Sequence, residues 1–139
     1  MIIIRLKDAP AGTQTWRVMF GPGAIWASEY LALGQQAALP VSQFSEPYRS
    51  GVFDWFFIFF YDADGRMMDE RFWPSQYGPA VQLQPGKIYQ YSYAANHFYL
   101  VGDITMDSIN NSVYSIAGLA AAGLVIGWGW KGIQAGGYF

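Results

Sequence analysis

The chain has no cysteine, which excludes a disulfide framework, thiolate metal sites and a cysteine nucleophile, and leaves the redox compartment unread. It has one histidine, His97, too few for a histidine metal cluster. Charge is scarce: 13% of residues are charged against 19% aromatic, a balance unlike that of a disordered chain, which depends on charge for solvation. Lysines and arginines are scattered singly within a net charge of −2, so no basic stripe is offered to nucleic acid. There is no internal repeat and no low-complexity tract. The Gly-rich stretches lack the lysine arrangement of a phosphate loop. Met1–Lys7 is too short, and charged too soon, for a secretory signal.

The longest absence lies toward the C-terminal end. Ser108–Trp130 holds no charged side chain, with Asp103 and Asp107 ahead of it and Lys131 closing it. As a helix rising about 1.5 Å per residue, Val113–Trp130 would reach roughly 27 Å, close to the ~30 Å hydrocarbon core of a bilayer. A buried core helix is also apolar all round. Glycine, however, costs a soluble helix about 1 kcal/mol against alanine, whereas membrane helices use it for close backbone approach. Gly118 with Ala122, and Gly123 with Gly127, form small-xxx-small pairs on adjoining faces, a smooth helix-packing interface that implies a partner helix. Tyr114 at one end, and Trp128, Trp130 and Lys131 at the other, stand where membrane-interface anchors stand. One transmembrane helix is therefore expected, with its lead-in covering residues 103–131 and a short tail over 132–139.

Residues 1–102 read as a β-rich domain. Ile2–Lys7 alternates weakly, and Asp8–Gly12 is a turn cluster. Thr15–Phe20 puts Trp16, Val18 and Phe20 on one face, with Arg17 and Met19 on the other. After the break at Gly21-Pro-Gly23, residues Ala24–Leu33 read as one strand. Gly34–Ser50 is a longer connection with an edge strand expected near Leu39–Phe44. Val52–Tyr61 is a strand apolar on both faces, which belongs in a doubly covered sheet or in an interface and would invite aggregation if bare. Asp64-Gly65 supplies a hairpin turn that returns the chain through Arg66–Trp73. Val81–Gln84, Lys87–Tyr93 and Phe98–Val101 complete the set. Leu83–Tyr89 resembles a turn-and-tyrosine pattern of immunoglobulin-like sandwiches. The expected fold is mainly β: a small antiparallel β-sandwich or barrel-like domain followed by one C-terminal transmembrane α-helix.

No catalytic constellation emerges, since hydrolytic chemistry needs two positioned groups. Asp62-x-Asp64-Gly65 resembles a calcium loop, but the twelfth position from Asp62 is Trp73 rather than a bidentate Glu, so a plain turn is expected. Asp54 is the acidic residue expected to be buried, accepting hydrogen bonds from an arginine or from backbone. Catalytic, cofactor and metal residues are thus expected to be none. Trp55, Phe57, Phe59, Tyr89, Tyr91 and Tyr93 are the candidate protein-interface aromatics.

These features point to a non-enzymatic structural and assembly protein. The best expectation is a bacteriophage virion component, capsid- or membrane-associated. Its alternative is an accessory single-span subunit of a cellular membrane complex. An enzyme or an outer-membrane barrel fits less well, because a barrel needs alternating strands and residues 116–127 do not alternate. The expected partners are membrane lipid and other subunits of a large assembly, copies of itself included, with neither nucleic acid nor a small-molecule substrate. The expected location is a membrane, either the virion's or the host inner membrane, with the β domain on the cytoplasmic side as in tail-anchored proteins.

Overall fold

The computed structural model describes residues 1–110 and 113–114. The strands, in chain order, are β1 (Ile2–Asp8), β2 (Thr15–Phe20), β3 (Trp26–Ala27), β4 (Leu31–Ala32), β5 (Ala37–Leu39), β6 (Val52–Phe53), β7 (Phe56–Tyr61), β8 (Met67–Trp73), β9 (Val81–Gln82), β10 (Lys87–Ser92), β11 (His97–Asp103) and β12 (Val113–Tyr114). One short helix, α1, covers Met106–Asn110. The fold is mainly β.

Two sheets enclose one core. The first runs β11-β10-β1-β5-β12, and the second β3-β2-β7-β8 with β4 also on β2. Alternation along each strand explains which side chains meet between them. Ile2 and Ile4 of β1, Leu39 of β5 and Tyr91 of β10 face Trp16, Val18 and Phe20 of β2 and Phe56, Ile58 and Phe60 of β7. Most pairings are antiparallel, but β1 runs parallel to β10, and β12 parallel to β5. The weak alternation of β1 has its reason here: Ile2, Ile3 and Ile4 are all fully buried, as befits a central strand with a parallel neighbour.

Local chemistry accounts for the departures from the expected strands. The single strand expected over Ala24–Leu33 is split into β3 and β4 by Ser28. Its amide donates to the Val18 carbonyl at 2.8 Å, its hydroxyl accepts from the Val18 amide at 2.9 Å, and its own carbonyl accepts from Arg17 Nε at 2.9 Å. A side chain thereby replaces a rung of the ladder. The edge strand expected near Leu39–Phe44 is instead β5, interior to the first sheet between β1 and β12. Beyond Pro40 the chain turns into a 3-10 helix over Val41–Gln43. The strand expected over Val52–Tyr61 is interrupted at Asp54–Trp55, where Trp55 takes φ +55° and its carbonyl accepts from the Gly21 amide at 2.9 Å.

The C-terminal expectation is met by a different arrangement at its start. Val113 and Tyr114 pair with Ala37 and Ala38 as strand β12 rather than opening a helix, because β5 offers them an unfilled edge. Residues 115–139 lie outside the described residues, and among the described residues no helix is long and apolar enough to cross a membrane.

Candidate functional site

The second sheet turns Phe56, Ile58 and Phe60 inward, so Phe57, Phe59 and Tyr61 of β7 must point out. The hairpin then decides their neighbours. The Gly65 amide donates to the Asp62 carbonyl at 3.1 Å, and Asp62 Oδ1 accepts from the Asp64 and Arg66 amides at 2.9 and 3.0 Å. Gly65 takes φ +81°, a conformation that costs glycine nothing. The resulting register sets Phe72 of β8 directly across from Phe57. The acidic motif is therefore a turn, its first carboxylate spent on backbone amides.

Six rings form a continuous ladder over this outer face. Trp55 meets Phe72 at 5.5 Å between centroids, Phe72 meets Phe57 at 4.7 Å, and Phe57 stacks on Phe59 at 5.3 Å and 10°. Tyr61 follows at 6.4 Å, and Tyr30 closes the row at 5.1 Å. Trp55 is 46% exposed and Tyr30 58%, with Phe57, Phe59, Tyr61 and Phe72 half-buried between them. Met19, opposite Phe57 on β2, extends the apolar surface sideways. Trp55 has a further distinction. A bulky residue with positive φ carries backbone strain of order 1–3 kcal/mol, and here that strain presents an indole at the end of the ladder.

Two charged residues flank Phe59 on this face, Arg17 of β2 on one side and Glu70 of β8 on the other. Arg17 is buried, its Nε held by the Ser28 carbonyl and its guanidinium 4.7 Å from the Tyr30 ring centre. Glu70 stands exposed opposite Phe59 on β8. Burial, reinforced by the neighbouring Tyr30 and opposed by Arg17, pushes the Tyr61 hydroxyl up to about 12. It is therefore a neutral hydrogen-bonding group at any ordinary pH.

Of the expected interface aromatics, the structure brings Trp55, Phe57 and Phe59 together on this face. Tyr89, Tyr91 and Tyr93 turn the other way: Tyr91 is fully buried, and Tyr89 and Tyr93 pack half-buried against the same core. The alternation of β10 was read correctly, but only pairing with β1 settles which face is inside. Tyr61 was legible by the two-residue period of Phe57 and Phe59. Phe72 needed the hairpin register, and Tyr30 has no local signal because it arrives from the break between β3 and β4.

The polar clusters elsewhere tie the sheets together. Arg71 of β8 lies between the rings of Tyr77 and Tyr93, at 4.6 and 4.0 Å, and donates to the Tyr91 hydroxyl at 3.0 Å and to Asn96 Oδ1 at 3.3 Å. Tyr93 donates to Asp69. Asp54, expected to be buried, is exposed and accepts from the Tyr48 hydroxyl at 3.3 Å; the break at Trp55 rotates it out of the core. His97 is exposed against Tyr99, 4.6 Å between ring centres. Among the described residues no three Asp, Glu or His side chains gather as metal ligands would. Gly118, Ala122, Gly123, Gly127, Trp128, Trp130 and Lys131 lie outside the described residues, while Tyr114 belongs to β12. Neither a family model, nor a curated protein, nor a solved structure matches this chain.

Proposed function

We propose that this chain is a non-enzymatic structural and assembly protein, a β module whose outer aromatic face is gripped by another protein of a membrane-associated assembly. The observation that carries this reading is the six-ring ladder from Trp55 to Tyr30. Large aromatic side chains with Met and Arg beside them are the composition of interface cores, and contiguous exposed apolar surface marks interaction sites. The three Phe rings at the middle of the ladder offer no hydrogen bonds, so the fitting partner surface is apolar there, with Trp55, Tyr61 and Tyr30 able to meet polar groups at the ends.

The uncharged run beyond Tyr114 supplies the attachment to lipid in this reading, and a bacteriophage virion, with the module set between membrane and shell, is the setting it suits best. One observation favours the alternative of an accessory subunit in a cellular membrane complex. With Val113 and Tyr114 committed to the first sheet, Ser115–Trp130 would reach only roughly 24 Å as a helix, short of the ~30 Å core. A short span is best accommodated among longer neighbouring helices.

The test is photo-cross-linking in cells that make the protein in its own genomic context. Benzoylphenylalanine at Phe59 is expected to yield an adduct of defined mass in the membrane fraction. The same group at Gln84, exposed and off the face, is expected to yield none. Recovery of the chain as a water-soluble monomer, without adducts from either position, would refute the reading.

A further inference from the structure

We propose that β11 pairs antiparallel with β11 of a second copy, continuing the first sheet across a twofold axis. This contact lies on the first sheet, away from the aromatic ladder, and stands or falls separately from the reading above.

Among the described residues β11 pairs with β10 alone, so its outer row of backbone groups faces solvent. Native sheets protect such edges with charge, proline or brevity. This edge is seven residues long, and Phe98-Tyr99-Leu100-Val101 carries neither charge nor proline. Tyr99 is 42% exposed, Leu100 58% and Val101 50%. The comparison within the molecule is β8, an edge of the second sheet of equal length that carries Asp69, Glu70 and Arg71 in its middle. The β8 edge carries charge within its own strand, whereas the middle of β11 carries none and has only the Lys7 ammonium of β1 reaching over Tyr99, 5.5 Å from its ring centre.

The sequence of β11 selects a copy of itself as occupant. When a sheet continues across a twofold axis normal to it, like faces meet, so opposed residue numbers must sum to an even number. The ladder with β10 slips at Val101, an extra residue between the Tyr89–Leu100 and Ile88–Gly102 pairs. The regular part of the edge therefore ends at Leu100. An axis at Leu100 would place that bulge inside the new ladder on both sides. An axis at Phe98 would leave Leu100 opposite Asn96. The axis at Tyr99 sets Tyr99 against Tyr99 of the second copy, and Phe98 against Leu100 in both directions. Cross-strand aromatic and aliphatic pairs are the ones that stabilise sheets. No carboxylate is stranded by it, since Asp103 is already paired with Lys87 of its own chain.

The chain has no cysteine, so a single introduced thiol reports one position. In full-length protein under mild oxidation, Tyr99→Cys is expected to form a disulfide dimer, because opposed residues have Cα atoms about 4.5–5.5 Å apart. Leu100→Cys meets its own symmetry mate only along the diagonal, about 7–8 Å away, and is expected to cross-link at least fivefold less. Gln84→Cys sets the background of random collision. Adding Leu100→Lys to Tyr99→Cys is expected to lower the yield about tenfold, with thermal melts confirming that each variant folds. Cross-linking of Tyr99→Cys at the Gln84→Cys level, or strongest cross-linking from Leu100→Cys, would overturn the proposal.

Discussion

At Gly51 the backbone takes φ +82°, and a Cβ there would run into the carbonyl oxygen of Leu83, whose amide donates to the Gly51 carbonyl at 2.8 Å. Both the conformation and the close approach demand glycine. Gly51→Ala is accordingly expected to cost about 2–4 kcal/mol in urea unfolding, whereas Gly86→Ala, with open space around its Cβ position, pays only the strain of its positive φ. Arg71 acts at the same scale. Replacing it with Met keeps much of its length but removes two hydrogen bonds and two cation–ring contacts, an expected loss of about 1–3 kcal/mol. A second readout separates this from mere loss of packing. Burial pushes the Tyr91 hydroxyl up to about 12 while Arg71 opposes it, so Arg71→Met is expected to move the Tyr91 titration, followed by phenolate absorbance, still higher.

Among the elements, β7 shows how one strand serves two purposes. Its inner residues Phe56, Ile58 and Phe60 belong to the core, and its outer residues Phe57 and Phe59 belong to the ladder. The double variant Phe57→Ser with Phe59→Ser is expected to keep the far-UV spectrum and most of the unfolding free energy. It is expected to lose association with partner protein, read as disappearance of the cross-linked adduct; equal loss of folding would mean the outer rings serve only the fold. The strand itself was plain in the sequence, because seven aromatics and an isoleucine lie within Val52–Tyr61. Its interruption at Asp54–Trp55 was not, since the hydrogen bond from Gly21 that holds it comes from another turn. The same holds for β3 and β4, which are parted by a serine whose partner, Val18, is ten positions away.

For the molecule as a whole, stability depends on side chains that must stay neutral or paired. Tyr61 and Tyr91 both have folded values near 12 against an ordinary value of 10. A raised folded value means that the stabilisation is complete below pH 10 and is lost as pH climbs through 12. The urea midpoint is therefore expected to be level from neutrality to about pH 10 and to fall between 10 and 12. On the acid side, the Ala94 amide hydrogen bond, the largest influence on Asp8, holds its carboxyl below the usual carboxylate range. Its contribution is present above that range and disappears on acidification through it.

Composition and period alone determined that this chain builds strands, that Trp16, Val18 and Phe20 share an inner face, and that Asp64-Gly65 turns a hairpin. Each of those depends on neighbours within a few residues. Which face of β10 lies inside, that β5 runs between β1 and β12, and that Tyr30 and Phe72 complete a ring ladder begun by Trp55 were decided only by tertiary pairing. Alternation states that two faces differ. It takes a second sheet, arriving from elsewhere in the chain, to choose the one that is buried.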